Sequence, residues 1–287
     1  MIRIFIIVAL VILFVGLVCC QKEAITPAAD KPLFDSIPSS VNVTPLISEA
    51  SGIADSKTNS GHLWVQEDGG NPTQLYLLKH NGSVQKKIYI DGIVNRDWEE
   101  MALAGTDIYL GEIGDNNEVY SDYAFYKFPE PQSSVDTIKS FETFRFTYVD
   151  GSHDAEAFFV EQATNNIYIF TKRDAPSRIY KLTAPLSSSG NNIAQLVGQL
   201  SYTGVTGAAI SPDGKEMIIK TYFALGYYKG QGTETIEATL QKSPILIPYQ
   251  AEPQGEAVCF SAGNTGYFTL SEKGFANEVK LYFYKRN

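Results

Sequence analysis

The chain has 287 residues, a formal net charge of −9 and a pI near 4.9, so it lacks the basic face that a nucleic-acid backbone requires. Two of its three cysteines are adjacent at positions 19 and 20, and its histidines stand apart at 62, 80 and 153, which excludes a disulfide scaffold and a compact Cys/His zinc motif. Seventeen tyrosines and 16 phenylalanines against three methionines favour strands.

The first residues have the layout of a secretory signal. Arg3 supplies one positive charge, and residues 4–18 form an uncharged apolar run shorter than the ~20 residues of a membrane span. The run ends in Leu17-Val18-Cys19-Cys20, which resembles a bacterial lipobox and implies lipidation at Cys20. The following Gln21-Lys22-Glu23 resembles the export tag of Bacteroidetes surface lipoproteins. These readings give a signal segment over 1–19, a polar tether over 20–35 and a folded domain over 36–287. The implied location is the outer membrane, on the surface or the periplasmic face, with the membrane as partner through the lipid. Cys259 is then the one remaining thiol, and its apolar surroundings mark it as a buried small hydrophobe.

From residue 51 the chain reads as strand after strand. The first group covers 51–54, 62–66, 74–78 and 84–90, with Asn81-Gly82 as a hairpin turn. The second covers 100–104, 107–112, 123–128 and 141–149, and the third 155–160, 166–171, 178–182 and 194–202. The fourth covers 207–210, 216–220, 225–229 and 238–248, with a turn at Pro212-Asp213-Gly214. The fifth covers 256–260, 266–270 and 279–284. One strand is missing from the last group, and one extra strand, about 41–47, precedes the first. Placing the early strand on the last group completes it. The fold expected is all-β, a five-bladed β-propeller of four-stranded blades closed by its N-terminal strand, with a six-bladed ring as the alternative.

A repeat underlies this reading. A polar residue followed by a short apolar run recurs at Ser51, Glu100, Glu156, Thr206 and Glu256, with separations of 49, 56, 50 and 50 residues. The first strand of a propeller blade lines the central channel, so these five side chains are expected to converge. Three carboxylates about 5 Å apart repel by roughly 3 kcal/mol per pair at an effective dielectric of about 20. Protonation or a shared cation must offset this. Carboxylates and hydroxyls are hard oxygen ligands, which points to Ca²⁺ held by Ser51, Glu100, Glu156, Thr206 and Glu256. The alternative is that each Glu binds backbone amides without metal.

The series is similar to that of the five-bladed calcium-activated nucleotidases, the apyrases, in which Ser, Glu, Glu, Ser and Glu surround an axial calcium. A resemblance over nearly the whole domain is to a group of uncharacterised bacterial secreted propellers. It is carried by Glu49-Ala50-Ser51-Gly52, Asp97-Trp98-Glu99-Glu100, Ile113-Gly114-Asp115-Asn116, Asp154-Ala155-Glu156-Ala157 and Gln254-Gly255-Glu256-Ala257. It implies the fold and no particular activity. Phytase-like propellers are a more distant comparison.

Polar clusters fall at one end of the expected ring, where first strands start and second strands end. They include Arg96, Asp97 and Trp98, then Glu67-Asp68, Asp115-Asn116, Lys172-Arg173-Asp174, Lys220-Thr221-Tyr222 and Ser271-Glu272-Lys273. Asp97, Trp98, Lys220, Tyr222 and Lys273 are the candidate ligand-binding residues. His153, Asp115, Lys172 and Arg173 are the candidates for acid–base or charge-stabilising roles. Two functions follow. One is a lipid-anchored binding or scaffold propeller with a calcium ion and an unidentified small-molecule or protein ligand. The other is a calcium-dependent hydrolase of phosphoesters or related anions, nucleotidase- or phytase-like.

Overall fold

The structure is a computed structural model, and it describes residues 32–287. The signal segment 1–19, Cys20 and most of the tether lie outside the described residues. Among the described residues no helix is long and apolar enough to cross a membrane.

The described chain is all-β, apart from one short helix. A short strand β1 (Ser39–Asn42) comes first. A meander follows of β2 (Ala50–Asp55), β3 (His62–Glu67), β4 (Gln74–Lys79) and β5 (Val84–Ile90). The second unit is β6 (Trp98–Ala104), β7 (Asp107–Glu112), β8 (Tyr123–Pro129) and, after a two-residue strand β9 (Thr137–Ile138), β10 (Glu142–Tyr148). The third is β11 (Ala155–Glu161), β12 (Asn166–Thr171), β13 (Arg178–Leu182) and β14 (Asn192–Gln199). The fourth is β15 (Val205–Ile210), β16 (Glu216–Thr221), β17 (Leu225–Lys229), helix α1 (Ile236–Leu240) and β18 (Ile245–Ile247). The last is β19 (Gln254–Phe260), β20 (Gly266–Glu272) and β21 (Lys280–Lys285).

Burial explains the strand patterns. Strands β2, β12 and β20 are buried along their whole length and read as continuous runs, whereas outer strands such as β5 and β10 alternate. Successive residues of one strand serve opposite cores. Phe158 and Val160 of β11 face the second unit, while Ala157 and Phe159 face the fourth. Five apolar clusters result, each between two neighbouring units, and the one built on Ile53, Leu63, Phe268 and Leu281 joins the fifth unit to the first. The first strands pack in a cycle: β2 on β6, β6 on β11, β11 on β15, β15 on β19 and β19 on β2.

The N-terminal strand lies on β21, antiparallel, and completes the last sheet as expected. It ends at Asn42, before Pro45, which cannot donate to a ladder. Thr44 then bridges to Ser83 of the first unit. Other details differ from the sequence reading. The outer strand expected over 238–248 is split. Thr235 caps α1 by accepting the Ala238 amide at 3.2 Å, and Ile236, Thr239 and Leu240 bury one helical face. Five residues are too few to show a helical period. Strands β10 and β14 pair in parallel and fuse the second and third units into one eight-stranded sheet. Phe34, assigned to the tether by the polarity around it, is fully buried. Its ring lies 4.8 Å from that of Tyr267 and 4.9 Å from the Arg286 guanidinium.

Phe34→Ala should therefore destabilise the folded chain by about 3–5 kcal/mol in urea unfolding, because it opens a cavity between the fourth and fifth units. Phe223→Ala, at a site 91% exposed, should change stability by less than about 0.5 kcal/mol.

Candidate functional site

Each of the five first strands bulges at the same point. Pairing with the second strand skips Ser51 in β2, Glu99 in β6, Glu156 in β11, Thr206 in β15 and Glu256 in β19. A bulge inserts an unpaired residue and re-aims its side chain. These five residues are therefore the equivalent positions. The expected series is corrected in its second member, where Glu99 replaces Glu100.

Glu100 stands one place after the bulge, where the other strands carry Gly52, Ala157, Gly207 and Ala257. Its side chain uses the room that Gly52 leaves. It is fully buried, and its carboxylate accepts the Met101 amide at 3.0 Å and the Ala208 amide, across the ring, at 3.3 Å. Burial pushes its pKa well above the carboxylate range, with the amides pulling the other way. One Glu100 oxygen, Oε1 of the buried Gln66 and the Met101 amide converge on Gly52, where a Cβ would clash with all three. The Gln66 amide group has no partner among the described residues.

The hydroxyls of the series are spent on the ring itself. Ser51 donates to the Glu99 carbonyl, and Thr206 donates to the Gly255 carbonyl at 3.2 Å, each tying one first strand to the next. Glu156 receives the ammonium of Lys172. Lys172 also donates to the Tyr222 hydroxyl at 3.1 Å, which donates in turn to Glu256 at 2.8 Å. A resident ammonium thus serves two of the carboxylates. Burial pulls the Lys172 pKa down, but Glu156 and Tyr222 outweigh it and hold the group above its ordinary value. Burial and the nearby Glu256 charge raise Glu156, whose Oε2 is buried without a partner.

A second group of acids lies beside these. One oxygen each from Asp68, Asp97 and Glu99 falls within 4.8 Å of the others. Asp68 follows β3, Asp97 precedes β6, and Glu99 is the β6 bulge. Two glycines permit the approach: a Cβ on Gly69 would strike Asp97, and a Cβ on Gly114 would strike both Glu99 and Asp97. Burial, then the charges of Glu256, Asp97 and Glu49, push Asp68 up to about 7. Burial, then Asp154, push Asp97 up to about 6. Burial, then Glu156 and Asp68, raise Glu99 well above the ordinary range. Glu272, bonded to the Gln254 amide at 2.8 Å, is pushed up to about 8 by burial and by Glu256. Three converging carboxylates supply the hard oxygen donors that Ca²⁺ takes as ligands. The axial set fits less well, because its hydroxyls point at carbonyls and Glu156 and Glu256 already accept from Lys172 and Tyr222.

The remaining candidates divide. Tyr222 and Lys172 link Glu156 to Glu256. Arg173, half exposed, pairs with Asp154 at 2.8 Å and donates to Asn116. Asp115 organises its own loop, accepting the amides of Val119 and Tyr120 and the Tyr123 hydroxyl at 2.7–2.9 Å. His153 Nε2 is bonded to the Tyr180 hydroxyl at 2.8 Å, and Nδ1 lies 3.0 Å from Asp174 without a hydrogen bond. Trp98 is fully buried in the core between the first and second units, so it presents no face to a ligand. Lys220 is also fully buried, paired with Glu252 at 2.9 Å and lying 3.8 Å from the centre of the Tyr249 ring. Burial lowers its pKa. Lys273 lines a surface groove with Glu49 and Glu272. Asp68 and Glu99 are the residues the sequence undervalued. The Gly69-Gly70 pair after Asp68 was the available signal.

No family model and no curated protein matches the chain. Among solved structures it is similar to a luciferin-regenerating enzyme, with a TM-score of 0.52 and 8% identity over 87% of this chain and 95% of that one. The hydrazine synthase of Kuenenia stuttgartiensis aligns with a TM-score of 0.42 and 12% identity over 83% of this chain and 71% of that one. The first likeness concerns the fold alone.

The raised carboxyls set a pH dependence. An acid whose pKa is higher in the folded state than in the unfolded state contributes stability below its unfolded value, near 4, and loses it as pH rises through the folded value. For Asp97, Asp68 and Glu272 that loss spans about pH 4 to 8. The melting temperature of chelator-treated protein should fall between pH 5 and pH 8. Lys172→Met should steepen the fall and cost about 3–5 kcal/mol at pH 8, because it strands Glu156 without its partner.

Proposed function

We propose that the chain is a five-bladed β-propeller that holds a divalent cation, calcium by its oxygen ligands, at one mouth of its ring, and that it acts as a binding or scaffold module of the cell envelope. The observation that carries the cation reading is the convergence of Asp68, Asp97 and Glu99 oxygens within 4.8 Å. The cycle of five first strands, the five inter-unit cores and the pairing of β1 with β21 support five blades. The lipobox-like Leu17-Val18-Cys19-Cys20 supports anchoring through Cys20.

Asp68, Asp97 and Glu99 would hold the ion, with Gly69 and Gly114 keeping the space clear for them. Bound there, a divalent cation supplies the positive charge that offsets the buried acids. Lys172 keeps Glu156 and Glu256 from competing as ligands. Binding is favoured over hydrolysis because Asp115 spends both carboxylate oxygens on its own loop and His153 Nε2 is bonded to Tyr180.

Calorimetric titration of chelator-stripped protein with CaCl₂ at pH 6.5 should show saturable binding. Protons should be released, seen as a heat that changes with the buffer's ionisation enthalpy, because ligand carboxyls must deprotonate. Asp97→Asn should weaken binding by about ten-fold or more, in line with ligand charge setting calcium affinity, whereas Glu161→Gln should not; absence of saturable binding contradicts the cation reading. In a separate assay, phosphoesters and nucleotides should not be turned over with or without calcium. Calcium-dependent turnover lost in Asp97→Asn would favour the hydrolase instead.

A further inference from the structure

The described chain begins at the end of the ring away from the acids. First strands run from the acidic mouth to the far end, second strands return, and β21 ends where Lys285 pairs with Gly266, the first residue of β20. There the Leu33 carbonyl accepts the Asn287 amide at 3.0 Å, and Phe34 bridges to Arg286. Leu33 is thus fixed on the fifth unit. It lines one groove with Tyr227, Tyr228, Lys229, Lys242 and Ile245 of the fourth.

This groove borders an apolar edge. Ile245 and Leu246 are consecutive residues of β18, the edge strand of its sheet, and are 63% and 73% exposed. The outer strands of the other units are covered or polar: β9 lies on β5, β10 and β14 pair with each other, and β1 reads Ser39-Ser40-Val41-Asn42. Pro244 and Pro248 bracket β18 and carry no amide donor, so only three residues offer a ladder to a further strand. An apolar edge closed to strand pairing suits a fluid apolar phase better than a folded partner. The charges beside it are nearly balanced. Lys229 lies 3.2 Å from Glu216, which also holds Arg286, and Lys242 pairs with Glu234. Lysine stems can lie along apolar surface while their ammonium groups stay in water.

The position of Leu33 supplies the occupant. Residues 21–31 are all that separate Cys20, the lipid acceptor of the lipobox-like run, from Pro32, a span of about 40 Å at full extension. With a lipid on Cys20, contact between this face and the bilayer is an intramolecular event, favoured by a high effective concentration. We propose that the edge formed by Leu33, Ile245 and Leu246 rests on the lipid surface that carries the anchor, so that the acidic mouth points away from the membrane. The proposal rests on anchoring through Cys20 and is independent of the cation site.

The test uses the full chain, lipidated and reconstituted in phosphatidylcholine vesicles that contain spin-labelled lipid as quencher. Ile245→Cys, and as control Phe275→Cys in the β20–β21 loop at the mouth, each carry one environment-sensitive fluorophore, since Cys259 is buried. The label at 245 should be quenched about two-fold, as for a side chain entering the boundary between headgroups and acyl chains, and the label at 275 should not be. Leu246→Asp in the Ile245→Cys background should return emission to the control level, with flotation and melting temperature unchanged. Failure of the protein to float with the vesicles would overturn anchor and docking together. Flotation without quenching at 245, equal quenching at both positions, or quenching unmoved by Leu246→Asp would overturn docking alone. Shielding of the 245 label from iodide that grows with protein concentration, without quenching by lipid, would put a second copy on this face in place of the membrane.

Discussion

The structure depends on burying like charges at the hub of a ring. Glu99, Glu100, Glu156 and Glu256 are each at most 4% exposed. At such depth an unpaired carboxylate is costly, and each added neighbour raises the cost. The chain answers in three ways. Glu100 takes backbone amides from two strands. Glu156 and Glu256 share Lys172 and Tyr222. Glu99, Asp68 and Asp97 have no salt-bridge partner among the described residues, and burial and neighbouring carboxylates raise all three. The place where internal compensation stops is the place the proposed cation occupies.

Bulges make this arrangement possible. A regular strand sends alternate side chains into the two flanking cores, leaving none for the axis. One extra residue per first strand breaks that alternation and points a polar side chain along the hub, while the flanking residues stay in their cores. Trp98 and Glu99 show the division within two residues: the indole packs between the first and second units, and the carboxylate joins the acids. Gly52 then leaves Glu100 the space to cross toward β15.

Much of this was legible in the chain. The fifty-residue spacing, the turns and the continuous apolar runs gave the strand order, and the surplus early strand gave the pairing with β21. What stayed hidden was decided by contacts distant in sequence. Glu99 and Glu100 are both acids before one apolar run, and the β6 bulge and the Ala208 amide, more than a hundred residues away, distinguish their roles. Lys220 reads as a loop cation, yet Glu252 and Tyr249 draw it inside. His153 and Asp115 read as free bases because Tyr180, Asp174 and Tyr123 are not visible as their partners. Phe34 lies in a polar stretch, and its pocket is built from the fourth and fifth units.

The central claim is that the hub divides its acids between a resident ammonium and an added cation. An anomalous difference map from crystals grown with terbium, a calcium substitute, tests it directly. The account predicts one peak, ligated by Asp68, Asp97 and Glu99, with Lys172 still bonded to Glu156. A peak between Glu156 and Glu256 with Lys172 displaced, or no peak at the mouth, would contradict it.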